Sequence, residues 1–255
     1  MTTTELSAAT REKLVHVSAA TISTALFKVG LKNQFIQDVR PLAPKAQNMV
    51  GQAYTLRYIP AREDLNPITV FQDPTHPQRV GVEECPVGHV MVIDSRKDPR
   101  AASAGSILVT RMMKRGVAGV VTDGGFRDAP EIGRLEMPSY HQRPSAPTNL
   151  TVHQAIELNG AIACGDVAVG DEGGPQQRQG GGVDVGPDAL VVGDQNGFTA
   201  TLGNADGHDL VGQQAVLLGL GRPFVGLGGE GILRLPGQAH LGGVALGGLA
   251  HRTAL

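Results

Sequence analysis

The sequence predicts an α/β fold built on parallel strands, and three adjoining stretches predict it. His89–Asp94 is a short apolar run of strand type. Residues 101–115 carry Ile107, Leu108, Met112 and Met113 at helix-compatible positions, and Gly116 follows as a stop. Residues 117–121 form a second apolar run. Strand, helix and strand in that order make a β-α-β unit, which favours parallel pairing of its strands.

The flanking elements fit the same class. Residues 10–29 place Leu14, Val17, Ile22, Leu26 and Val29 near helical spacing, with Gly30 as the stop, so one helix is predicted there. Residues 49–59 alternate as a strand, with Ala53, Thr55 and Arg57 on one face and Tyr54, Leu56 and Tyr58 on the other; Pro60 ends it. Another apolar stretch lies around Ala161–Cys164. Residues 140–149, with Tyr140, His141 and Arg143 among prolines, predict a polar surface loop, with a pocket-lining loop as the alternative. Later apolar runs at 189–192 and 215–218 lack the length and capping signals of firm elements.

Composition divides the chain. Residues 1–169 hold all six lysines, whereas 170–255 hold none and carry 23 of the 35 glycines. Glycine at that density costs backbone entropy in any regular element. The break predicts a domain over 1–169 and a glycine-rich segment over 170–255. That segment is expected to be either a divergent completion of the same domain or the product of a shifted reading frame.

The charge balance, −2 over 255 residues, argues against a nucleic-acid or anionic-membrane surface. No apolar run approaches the roughly 20 residues of a membrane span. The polar start lacks the apolar core of a secretion signal. Cys85 and Cys164 are far apart and form no Cys-x-x-Cys motif, so two reduced thiols in a cytoplasmic protein are expected. The glycine clusters at 180–182 and 226–229 match neither a P-loop nor a dinucleotide fingerprint. His141 and His153 have no zinc-type spacing to a further ligand.

The chemistry is expected where the second strand ends. Thr122-Asp123-Gly124-Gly125 forces a tight turn, and Arg127-Asp128 follows at once. Ligands of α/β proteins sit at the carboxyl ends of strands. A guanidinium there offers a fork for a carboxylate, and a carboxylate offers a hard oxygen ligand for a divalent cation.

The segments Asp94–Asp98, Ala104–Thr110 and Gly116–Asp128 together resemble the regulator-of-ribonuclease-activity-A-like (RraA-like) family. That family includes the metal-dependent 4-hydroxy-4-methyl-2-oxoglutarate aldolases. Ser18–Leu26, Gly51–Leu56 and Cys164–Val169 support the resemblance, which covers about residues 10–169. It implies a swivelling β/β/α fold of sandwiched sheets and helices, here with an atypical glycine-rich C-terminal segment. It implies assembly as homotrimers or hexamers, with the site between subunits. It also implies that Arg127 binds a short 2-oxo acid and that Asp128 helps hold Mg2+ or Mn2+. The backbone amides of Gly105, Ser106, Ile107 and Leu108 would receive the substrate carboxylate. Such amides at a helix N-terminus suit an anion. A metal that keeps several waters can manage with one protein carboxylate plus a chelating 2-oxo acid. No lysine Schiff base is then needed, and Lys97 and Lys114 are expected to be solvated.

The chain departs from the family's aldolases at one position. They carry an acid 21 residues before the arginine, and this chain has Ser106 there. Serine is no base at neutral pH without an activator of its own. Asp94, Asp98 and Asp123 are the carboxylates that could stand in. Two functions follow. One is a carbon–carbon lyase that releases pyruvate by retro-aldol cleavage or decarboxylates oxaloacetate, with Arg127 and Ser106 as catalytic candidates. The other is a non-catalytic regulator that opposes ribonuclease E through protein contacts.

Overall fold

The computed structural model describes residues 6–28, 30–170 and 189–195, together with the backbone of 197–200. The chain forms two units, Met1–Gly221 and Arg222–Leu255. The second lies outside the described residues, as do the glycine clusters at 180–182 and 226–229 and the apolar run at 215–218.

Two helices come first, α1 (Ala8–Leu14) and α2 (Ala19–Lys28). The short strands β1 (Phe35–Ile36) and β2 (Arg40–Pro41) lead into the long β3 (Met49–Pro60). Helix α3 (Pro77–Glu84) precedes β4 (Val90–Asp94), β5 (Ala102–Ala104), α4 (Ser106–Lys114) and β6 (Gly119–Thr122). Next come β7 (Gly125–Phe126), α5 (Ala129–Arg134), β8 (Ser139–His141) and β9 (Arg143–Pro144). The described part closes with β10 (His153–Leu158), β11 (Ile162–Cys164), β12 (Val167–Val169), β13 (Leu190–Asp194) and β14 (Gly197–Ala200).

The main sheet runs β1-β14-β13-β3-β4-β6-β8-β2, and β10 pairs with the far half of β3. Its centre, β3-β4-β6-β8, is parallel. The β4-α4-β6 crossover predicted from sequence is therefore present. Both faces of this centre are covered, which is why its inner strands β4 and β6 read as near-continuous apolar runs. Side chains alternate along each strand. Val90 and Val92 join one cluster with Cys164, Val167 and Val169 of the β11–β12 hairpin. Met91 and Ile93 join the other, with Val109 and Met112 of α4 and Ile132 of α5. A layer of hairpin, sheet and helices results, and the α/β expectation holds. A third cluster joins Leu14, Ile22 and Leu26 of the first helices to Val50, Leu190 and Val192.

Three local expectations are corrected. The helix predicted over 10–29 is two helices. Asn48 Nδ2 donates to the carbonyls of Leu14 (3.1 Å) and Val17 (2.6 Å), and Ser18 Oγ accepts the Thr21 N–H at 3.2 Å. With both loose ends satisfied, the break is stable. The helix predicted to begin at residue 101 begins at Ser106 instead. Ala102–Ala104 is strand, because the Ser103 carbonyl is taken by Tyr58 Oη (2.9 Å) and Gln78 Nε2 (2.6 Å). Residues 140–149 are no simple surface loop. Tyr140 and His141 are buried in β8, and the His141 ring stacks on Phe126 at 5.7 Å.

The weak run at 189–192 is a buried strand. It pairs antiparallel with β3 on one side and β14 on the other. Asp194 Oδ2 accepts the Ala19 N–H at 2.8 Å, so this late strand also caps α2. No helix among the described residues is long and apolar enough to cross a membrane.

Candidate functional site

A small parallel sheet, β5-β7-β9, carries the predicted residues. It lies just beyond the carboxyl ends of β4 and β6. Arg127 leaves β7 with its N–H bonded to the Ala104 carbonyl at 3.0 Å. That bond sets 127–128 alongside 104–106. Asp128 then adopts a left-handed backbone, φ 53° and ψ 38°. Asp tolerates this region better than most residues, yet it remains sparsely populated and marks functional turns.

Asp128 Oδ2 accepts two hydrogen bonds from Ser106, from the backbone N–H at 3.2 Å and from Oγ at 3.0 Å. The carboxylate thus caps the first turn of α4 from outside its own helix. These donors, the backbone amide first, hold its pKa below the ordinary carboxylate value, and Arg127 adds to the effect. Gly105 permits the contact. A Cβ there would lie 3.2 Å from Asp128 Oδ2 and 3.6 Å from the Arg127 Cβ.

Two further features lie beside this contact in the chain. The N–H groups of Ile107 and Leu108, on the first turn of α4, make no hydrogen bond with a described residue. The Arg127 guanidinium is exposed and makes no hydrogen bond or ion pair with a described residue. Ile107 itself stands out at 82% exposure. The fold thus brings together Arg127, Asp128, Gly105 and Ser106, and Ile107 and Leu108 follow on the same helical turn.

The donor set decides which metal could fit. Among the described residues no three His, Cys, Asp or Glu side chains converge. Asp128 offers its second oxygen, Oδ1. This suits a hard, hydrated cation that takes its other oxygens from water and a bound ligand. It does not suit a tetrahedral site made wholly by protein.

The stand-in carboxylates are committed elsewhere. Asp123 is buried; it accepts the N–H groups of Ser95 (2.7 Å), Lys97 (3.1 Å) and Gly165 (3.2 Å). Burial nevertheless pushes its pKa up to about 6. Asp94 accepts the Arg96 N–H at 2.8 Å, and burial raises its pKa. Asp98 is gripped by the Arg100 fork, with bonds of 2.9 and 2.6 Å, which holds it down at about 2. Lys97 pairs with Asp166 at 2.6 Å, which raises its pKa, the opposite of what an amine nucleophile needs. Lys114 is exposed in the last turn of α4.

Sequence reasoning missed the support beneath the site. Ser95, Ser103 and Thr122 are fully buried and form a closed triangle of hydroxyls, with oxygen separations of 2.7, 3.0 and 2.6 Å. Thr122 Oγ1 also accepts the Gly124 N–H at 2.9 Å. A Cβ on Gly124 would sit 2.6 Å from the Ser95 Cβ, so only glycine passes this triangle. The signal available in sequence was three isolated hydroxyl residues, Ser95 just after β4, Ser103 within β5 and Thr122 at the end of β6.

The comparisons agree with the fold. The family model described as RraA-like, Aldolase/RraA, matches residues 19–199. Streptomyces coelicolor RraAS2, described as an unusual member of the RNase ES inhibitor RraA protein family, superposes with a TM-score of 0.65 at 22% identity. The match covers 87% of this chain and 100% of that one. An uncharacterized protein from Pseudomonas syringae gives a TM-score of 0.65 at 17% identity, covering 86% and 90%. At such identities these likenesses establish fold alone. No curated protein matches the sequence.

Proposed function

We propose that this chain, which belongs to the RraA-like (Aldolase/RraA) family, is a divalent-metal-dependent carbon–carbon lyase acting on a short 2-oxo acid. The observation that carries the proposal is the pairing of an Arg127 guanidinium that makes no hydrogen bond or ion pair with a described residue and an Asp128 carboxylate that Ser106 holds at the α4 N-terminus. Arg127 binds the acid and offsets the negative charge that develops as the carbon–carbon bond breaks. The amides of Ile107 and Leu108 receive its carboxylate in the field of the helix N-terminus. Asp128 Oδ1 would hold Mg2+ or Mn2+, and the cation, when bound, polarises the 2-oxo group. Ser106 fixes the Asp128 rotamer and so leaves Oδ1 turned toward the ligand. Retro-aldol release of pyruvate and decarboxylation of oxaloacetate both fit this machinery. We place the protein in the cytoplasm as a homotrimer or hexamer, with a neighbouring subunit completing the site.

A second function, a regulator that opposes ribonuclease E by protein binding, is favoured by Ser106. It stands where the family's aldolases carry an acid, and its hydroxyl is already committed to Asp128. The deciding experiment measures pyruvate release from 4-hydroxy-4-methyl-2-oxoglutarate and from oxaloacetate, with Mg2+, Mn2+ or a chelator. Metal-dependent release that disappears in both Arg127→Ala and Asp128→Ala supports the lyase. No release from the folded, metal-supplemented protein refutes it and leaves the regulator.

A further inference from the structure

The strand beside β7 carries a second arginine near Arg127. In the parallel β7–β9 ladder Gly125 is opposite Arg143 and Phe126 opposite Pro144. The Ser145 N–H extends the ladder to the Phe126 carbonyl at 3.0 Å. Arg127 follows two residues after Gly125, so Arg143 stands one strand over and two positions back. With strands about 4.8 Å apart and a rise of about 3.3 Å per residue, the two α-carbons are about 8 Å apart. Both side chains are exposed.

The guanidiniums of the neighbouring arginines are engaged by hydrogen bonds. Arg100 is forked onto Asp98, and Arg96 Nη2 donates to the Val152 carbonyl at 2.8 Å and contacts His153 Nδ1 at 3.1 Å. The guanidiniums of Arg127 and Arg143 make no hydrogen bond or ion pair with a described residue. Asp128, the carboxylate next to Arg127, is turned to Ser106 instead. Two forks that no described residue engages complement, at this spacing, a ligand with two carboxylates, because each fork can donate to one in bidentate fashion.

We propose that Arg143 determines specificity by receiving the distal carboxylate of a short 2-oxo dicarboxylate whose 2-oxo acid end lies at Arg127 and α4. This deepens the lyase assignment above and rests on it. A monocarboxylate such as pyruvate occupies the Arg127 end and does not reach Arg143. The two acids therefore separate the two arginines.

The test compares oxaloacetate turnover with pyruvate binding, both with Mg2+, in the wild type, Arg143→Gln, Arg143→Lys and Arg127→Ala. Arg143→Gln is expected to raise the KM for oxaloacetate by about tenfold or more, the value of one exposed charge-assisted contact. Its pyruvate affinity and melting midpoint stay at the wild-type values, and Arg143→Lys recovers part of the loss. Arg127→Ala loses both acids. Equal losses for the two acids in Arg143→Gln, or none, would overturn the role of Arg143 while leaving the lyase standing. A wild type that binds neither acid refutes the lyase and the dicarboxylate specificity together.

Discussion

Replacing Thr122 by valine tests whether the hydroxyl triangle supports the turn that presents Arg127. Valine keeps the shape of threonine and removes one buried oxygen. That oxygen lies 2.6 Å from Ser103 Oγ and 3.0 Å from Ser95 Oγ, and it accepts the Gly124 N–H. The remaining Ser95–Ser103 contact at 2.7 Å survives. The Gly124 N–H, in a buried turn, loses its acceptor. An orphaned buried donor costs about 1–3 kcal/mol and a lost hydroxyl bond about 1 kcal/mol, so Thr122→Val should cost roughly 2–4 kcal/mol. At about 2–4 °C per kcal/mol for a chain of this size, the midpoint falls by roughly 5–15 °C. Ser103→Ala is the control. It also breaks two contacts of the triangle, but Ser95 keeps Thr122 and Gly124 keeps its acceptor, so about 1 kcal/mol is expected. Both values come from urea and thermal unfolding at one pH and one protein concentration. A Thr122→Val cost below about 1 kcal/mol, or one no larger than that of Ser103→Ala, would refute the support role.

Other perturbations have definite outcomes. Ser106→Asp sets a carboxylate against Asp128 and supplies the acid that the family's aldolases carry; metal-dependent pyruvate release should rise while the metal-free protein melts lower, and unchanged turnover would detach Ser106 from the chemistry. His141 and His153 are buried and held at about 4 by desolvation, so their stability contribution is complete above the ordinary value of 6.5 and is lost as pH falls toward 4. Asp123, raised to about 6, takes up its proton first in the folded state and offsets part of that loss. The midpoint should therefore drop between pH 7 and pH 5, and drop less in His141→Phe, which leaves no buried imidazole nitrogen without a partner at that position. Asp194→Ala removes the acceptor for the Ala19 N–H and should cost about 1 kcal/mol or more, read by urea unfolding.

Much of the fold was legible because its central strands are covered on both sides. Val90–Ile93 and Val120–Val121 alternate between two apolar clusters, so every position in these stretches is apolar and the runs are visible without structure. The link between Arg127-Asp128 and Gly105–Leu108 was legible only through family resemblance; the Asp128–Ser106 contact spans 22 residues, and no local spacing encodes it. The break between α1 and α2 was hidden because its decisive partner, Asn48, is 31 residues from Val17. Tyr140 and His141 looked like loop residues because their burial depends on β6 beside them and Phe126 beneath. The strand at 190–194 stands in glycine-rich sequence, and one of its two sheet neighbours, β3, comes from far earlier in the chain.

That last strand bears on how the protein is made. Leu26 and Val50 are among the first apolar residues to be synthesised, yet the cluster that covers them needs Leu190 and Val192. While the ribosome works through the intervening residues, the β3 edge facing β13 and the inner sides of α1 and α2 have no permanent neighbour. The β3-β4-β6-β8 centre can assemble earlier, since all its strands precede residue 142. A nascent chain arrested before residue 190 therefore presents an open sheet edge and an apolar helix pair, the kind of surface that recruits chaperones or pairs with another copy. This late-made strand acts as the closing seal, and the rate at which translation reaches it sets how long that surface stays exposed.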